Sequence, residues 1–160
     1  MPIVLFRVDE RLIHGQVVVG WGGPLHIGRM IVVDDELAQS EWEQELYTLG
    51  VPDEMEAEFA TVDGARARLK EWDAGTDRLM VLVRDVPTLR RIAEGGALRG
   101  RKVILGGIHH AVGRRKVLPY LFLNDEEQRS LQVVADDGVS ITAQDLPASR
   151  SVPLAQLLDS

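Results

Sequence analysis

The chain has 160 residues, 45% of them apolar and 27% charged, with a formal net charge of −7. That suffices for one folded domain over 1–160, and the acidic balance argues against nucleic acid as a partner. With no cysteine, disulfides, thiol catalysis and thiolate metal sites are excluded, and no apolar run nears the ~20 residues of a membrane span.

The opening Met-Pro-Ile-Val-Leu-Phe-Arg lacks a basic start followed by a long apolar stretch, so no secretory signal is expected. From there, short β-rich apolar runs alternate with helical patterns. Strands are predicted at Ile3–Phe6, Met30–Val33, Ala57–Val62, Leu79–Val83, Val103–Leu105 and Val139–Thr142. A helix is predicted from Leu12. Another, capped by Asp34 or Asp35, carries Leu37, Trp42, Leu46 and Leu49 and stops at Gly50 and Pro52. Thr61 starts a helix bearing Ala65, Leu69 and Trp72. Asp85, with Pro87, starts one that ends at Gly95-Gly96. Asn124 and Glu127 have capping-box spacing, and the tail from Ser151 reads as a short closing helix. Trp21, Trp42 and Trp72 fall at apolar helical positions and are expected in the core. The fold class is α/β: an open, mostly parallel sheet with helices on both faces.

In such a sheet, ligands bind beyond the carboxyl ends of the strands. Four loops qualify: Asp9–Gly15, Asp34–Glu36, Arg84–Thr88 and Gly106–Gly113. The first carries His14, predicted within the first turn of a helix, where unpaired N–H groups favour an anion. Arg11 and Asp9 precede it, and Gly15 and Gln16 follow. An imidazole, a guanidinium and a carboxylate at one corner form a kit for holding a phosphoryl group on a histidine. A histidine must be neutral to attack phosphorus, and imidazole's ordinary pKa of ~6.5 leaves it largely so near neutrality. The bland reading makes Asp9 an N-cap and Arg11 its solvated neighbour.

The other loops say less. Gly106-Gly107 could let the backbone approach a ligand, Arg84 could reach a phosphate, and Asp34 reads mainly as a helix cap. Arg99 to Lys102 reads as a solvated loop, whereas Arg114 to Lys116 should lie nearer the site. His109-His110 lack a carboxylate at helical spacing, so no metal is expected, although they could line the pocket. Neither a phosphate-binding P-loop, a kinase signature nor a Gly-x-Ser-x-Gly elbow occurs, so a nucleotide donor and a serine hydrolase are disfavoured.

The run Asp9-Glu10-Arg11-Leu12-Ile13-His14-Gly15-Gln16-Val17 resembles the active-site loop of the IIB subunits of the mannose/fructose/sorbose family of the bacterial sugar phosphotransferase system. Weaker likenesses are Ile31 to Glu36 to the second strand and its turn, Met80 to Val83 to a central strand, and Leu105-Gly106-Gly107 to a paired-glycine loop. The resemblance implies a protein-phosphohistidine–sugar phosphotransferase. His14 would accept a phosphoryl group from a IIA protein or domain and pass it to a sugar presented by membrane IIC and IID subunits, without metal or other cofactor. Arg11 would stabilise the phosphoryl group. Asp9 would fix the ring tautomer, orient Arg11 or take the sugar hydroxyl proton, and the sequence does not choose among these roles. Nor does it choose the ring nitrogen. The resemblance implies a cytoplasmic protein held at the membrane through IIC and IID. Two other readings are a regulatory phosphocarrier without a dedicated permease and a binding module for a small anion.

Overall fold

A computed structural model describes residues 2–158 of the chain. Met1, Asp159 and Ser160, which the 1–160 range includes, lie outside them. A seven-stranded sheet organises the fold, in the order β3-β2-β4-β1-β5-β8-β9. These strands are β1 (Ile3–Val8), β2 (Arg29–Val33), β3 (Glu56–Ala60), β4 (Leu79–Val83), β5 (Lys102–Leu105), β8 (Ser140–Ala143) and β9 (Val152–Pro153). All neighbours pair in parallel except β8 with β9. Residues β6 (Arg115–Leu118) and β7 (Leu121–Leu123) form a separate antiparallel hairpin.

The central strands are apolar on both faces because both are covered. In β4, Leu79, Val81 and Val83 face one cluster with Trp72, Leu89, Ile92 and Leu131. Met80 and Leu82 face the other, with Leu12, Val17, Trp21 and Met30. Fully burying each such aliphatic side chain contributes about 1.5–3 kcal/mol. The first layer is built by α2 (Val62–Ala74), α3 (Val86–Ala93), α4 (Asp125–Asp136) and α5 (Leu154–Leu157). Its caps agree with the sequence. Thr61 accepts from the Gly64 N–H, Asp85 from the Thr88 N–H, and Asn124 and Glu127 form the reciprocal box.

Several expectations need correction. No helix starts at Leu12; a π-helix runs over Gln16–Gly22 instead. Leu12 takes φ +56°, in the left-handed region, with its N–H on the Asp9 carbonyl. That conformation costs a leucine roughly 1–2 kcal/mol, and it drives Leu12 and Ile13 into the core before the helix begins. The segment ascribed to Asp34–Leu49 splits into a 3₁₀ turn, Leu37–Gln39, and α1 (Glu41–Thr48). Asp34 caps only the 3₁₀ turn, through the Leu37 N–H, while Asp35 reaches the Val62 N–H at the start of α2. Trp42, Leu46 and Leu49 are not core: α1 buries none of its residues. Residue Val62 belongs to α2, not to β3. The β6–β7 hairpin and β9 stand where loop and tail were expected.

Candidate active site

The site sits at the carboxyl end of β1, where Asp9 leaves the sheet. Asp9 is fully buried. Its Oδ1 accepts the Arg11 N–H at 3.0 Å and faces Arg11 Nε at 3.4 Å. Its Oδ2 accepts the Gly107 N–H at 3.2 Å and lies 3.5 Å from His14 Nε2 and 3.6 Å from Arg7 Nη2. Burial pushes the Asp9 carboxyl up, but the adjacent His14 ring and the Arg11 and Gly107 N–H groups outweigh it and hold it at about 2. One ionised carboxylate thus joins two arginines, the histidine and the paired-glycine loop.

His14 lies just ahead of the π-helix rather than in its first turn, and its carbonyl accepts the Val18 N–H at 3.0 Å, so the residue stands at the helix start. Its half-buried ring turns Nε2 inward, away from solvent, toward Asp9. Nδ1 is then the nitrogen that a reactant can approach. Arg11, partly exposed, is held on its other side by Gln16 Oε1 at 2.9 Å. Gln16 in turn donates from Nε2 to Asp145 Oδ1 at 3.3 Å. A Cβ added at Gly15 would meet nothing within 4 Å, which leaves the space beside His14 open.

Gly106 and Gly107 take part in the network. The Gly107 carbonyl accepts the Glu10 N–H at 2.8 Å, and Gly106 leaves room for Arg7. Asp34 and Arg84 form their own pair, Oδ2 to Nε at 3.2 Å, at the ends of β2 and β4, with no bond to His14. Arg114 is not a free basic patch. It bonds Glu10 Oε1 at 2.7 Å and both carboxylate oxygens of Glu127 at 3.1 and 2.8 Å. Burial lowers its affinity for a proton, but Glu127 and Glu10 raise it further. His109 sits on this cluster, with Nδ1 3.1 Å from Glu10 Oε2. Its neighbour His110 stacks edge-on against Phe122 instead. Among the described residues no group of three or more acidic or histidine side chains has the geometry of a metal site.

Two participants escaped the sequence reading. Arg7 is 1% exposed inside an otherwise apolar strand. It donates to the Gln144 and Asp145 carbonyls at 2.7 and 2.9 Å and lies 4.9 Å from the Trp21 ring centre. Burial pulls its guanidinium down, and the Asp9 and Asp145 charges oppose that. Asp145, beyond β8, receives Gln16 on its side chain and Trp21 Nε1 on its carbonyl at 2.9 Å. A lone arginine among Ile3 to Val8 was a usable signal. Asp145 offered none, since the loop after β8 looked like any other.

A parallel sheet with a histidine beyond its first strand is the arrangement expected of the sugar phosphotransferase components that the sequence resembles. The family described as PTS system sorbose subfamily IIB component matches residues 3–160, and the chain belongs to it. It is a IIB component of the mannose/sorbose family, a group of phosphotransferases. It is 27% identical over 151 residues to the N-acetylgalactosamine-specific phosphotransferase enzyme IIB component 1 of Escherichia coli K12, covering 92% of this chain and 93% of that one. The mannose-specific EIIAB component of E. coli K12 is 25% identical over 99% of this chain, which spans 49% of that longer protein. The crystal structure of manxB from Thermoanaerobacter tengcongensis superposes with a TM-score of 0.85 at 28% identity, over 99% of this chain and 95% of that one.

Proposed function

We propose that this chain is a cytoplasmic phosphocarrier that takes a phosphoryl group from a IIA protein or domain onto His14 and passes it to a sugar entering through membrane IIC and IID subunits. The observation that carries the reading is the orientation of His14 against Asp9. An ionised carboxylate 3.5 Å from Nε2 keeps the proton on that nitrogen and the lone pair on Nδ1. Nδ1 attacks phosphorus, an N–P bond forms, and the donor's N–P bond breaks. Asp9 balances the positive charge the ring gains, and Arg11 meets the phosphoryl oxygens. In the second step a sugar hydroxyl oxygen attacks, the Nδ1–P bond breaks, and the hydroxyl proton leaves to solvent. Asp9 is buried behind the ring, so its position supports the tautomer role over proton acceptance from sugar.

Membership of the family and the fusion named in the EIIAB relative support a IIA donor. No helix among the described residues is long and apolar enough to cross a membrane, which suits a partner that docks on membrane subunits. The test is incubation with labelled phosphoenolpyruvate, the general phosphotransferase proteins and a mannose-family IIA. Wild type acquires acid-labile label and folded His14→Ala does not. Equal labelling of a folded His14→Ala protein removes His14 as acceptor.

A further inference from the structure

The outer face of α1 has no partner among the described residues. Trp42, Leu46 and Leu49 are 66%, 58% and 83% exposed, and their i, i+4, i+7 spacing lines them along one side of the helix. Beside them lies an open groove of about 920 Å³, floored by Ala57 and Phe59 of edge strand β3. A second hollow shares Trp42 and Leu46 and reaches Ile13, next to His14. An apolar stripe of this size, headed by a tryptophan, has the make-up of an interaction surface.

Charge narrows the occupant. From Asp34 to Glu58 there are ten acidic residues and no lysine or arginine. Asp34, Asp35 and Glu58 are neutralised by Arg84, Arg91, Arg29 and Arg68. Glu41, Glu43 and Glu45, which flank the apolar stripe, pair with no cation among the described residues. A second copy would bring like charges together across the contact, and an anionic lipid surface would repel them. Cytoplasmic loops of membrane proteins, by contrast, carry an excess of lysine and arginine.

We infer that the α1 face is the docking surface for a basic, apolar-tipped cytoplasmic loop of the membrane subunits, seating it within reach of His14. This rests on the phosphocarrier reading above. The experiment compares wild type, Trp42→Ala and the triple variant Glu41→Lys/Glu43→Lys/Glu45→Lys. Binding is measured to inverted vesicles carrying IIC and IID subunits and to protein-free phosphatidylethanolamine/phosphatidylglycerol liposomes. Label transfer from phospho-IIA and sedimentation are followed alongside.

Wild type should bind the IIC/IID vesicles alone, more weakly as salt rises, and both variants should bind them about tenfold less. Both should accept label from IIA at the wild-type rate, because their changed side chains lie outside the Asp9–His14 network. Unchanged vesicle binding by both variants overturns the proposal. So does a loss of IIA labelling, which would make the face a IIA site, or wild-type self-association abolished by the variants. Failure of wild type to accept label from IIA would overturn the underlying reading instead.

Discussion

Arg7 occupies the space that a side chain on Gly106 would need: a Cβ built there falls 2.4 Å from a guanidinium nitrogen and 2.6 Å from its carbon. Arg7 cannot retreat without releasing the Gln144 and Asp145 carbonyls. Gly106→Ala should therefore lower stability by about 1–3 kcal/mol. Gly15→Ala, where the space is open, should stay within about 0.5 kcal/mol of wild type. Urea unfolding of the two variants checks the contrast, and equal midpoints would refute it.

The Asp9 carboxyl sits below its ordinary value, so the sign of its pH effect is fixed. Its contribution is fully present above about pH 4 and is lost as pH falls through about 2. The loss is on the order of 2 kcal/mol. Acid unfolding should show this as a slope that Asp9→Asn removes. The same variant should be less stable at pH 7, because it leaves buried Arg7 without its anion. An Asp9→Asn protein as stable as wild type at pH 7 would break the argument.

Arg114 ties the His14 loop to the start of α4 through Glu10 and Glu127. Arg114→Met should cost roughly 1–3 kcal/mol and loosen the loop locally. The Glu10 and His109 amides, bonded to the Gly107 carbonyl and to Glu10 Oε2, should then exchange hydrogen faster than the amides of β4. Uniform acceleration across the sheet would mean a global effect only.

Arg11 separates chemistry from stability. Its side chain is 40% exposed, so Arg11→Ala should shift the unfolding free energy by less than about 1 kcal/mol. Phosphoryl acceptance should slow roughly a hundredfold. Rapid-quench labelling from phospho-IIA measures this, and an unchanged rate takes Arg11 out of the mechanism.

Much of this architecture was readable from residues. The runs Leu79–Val83 and Val103–Leu105 are apolar because both sheet faces are covered, and Thr61, Asp85 and Asn124 cap the helices they precede. What failed to read was set by tertiary context. Leu12-Ile13 has the pattern of a helix start, yet one left-handed residue sends both side chains to the core. Trp42, Leu46 and Leu49 have core spacing, and only the packed structure shows that they lie exposed among the described residues. His14, Arg11 and Asp9 could be grouped from the sequence, but Arg7 and Asp145 join them through pairings across more than a hundred residues, beyond any local pattern.

Asp9 neutralises a buried arginine and also steers the imidazole, so the two duties cannot be inherited separately. In a living cell, replacements at this position would lower abundance before they altered turnover, because proteolysis removes chains that open too often. Selection for a new sugar or a new partner therefore has little freedom at this carboxylate. It has more at exposed α1 positions such as Trp42, Glu45 and Leu46, whose side chains lie outside the core.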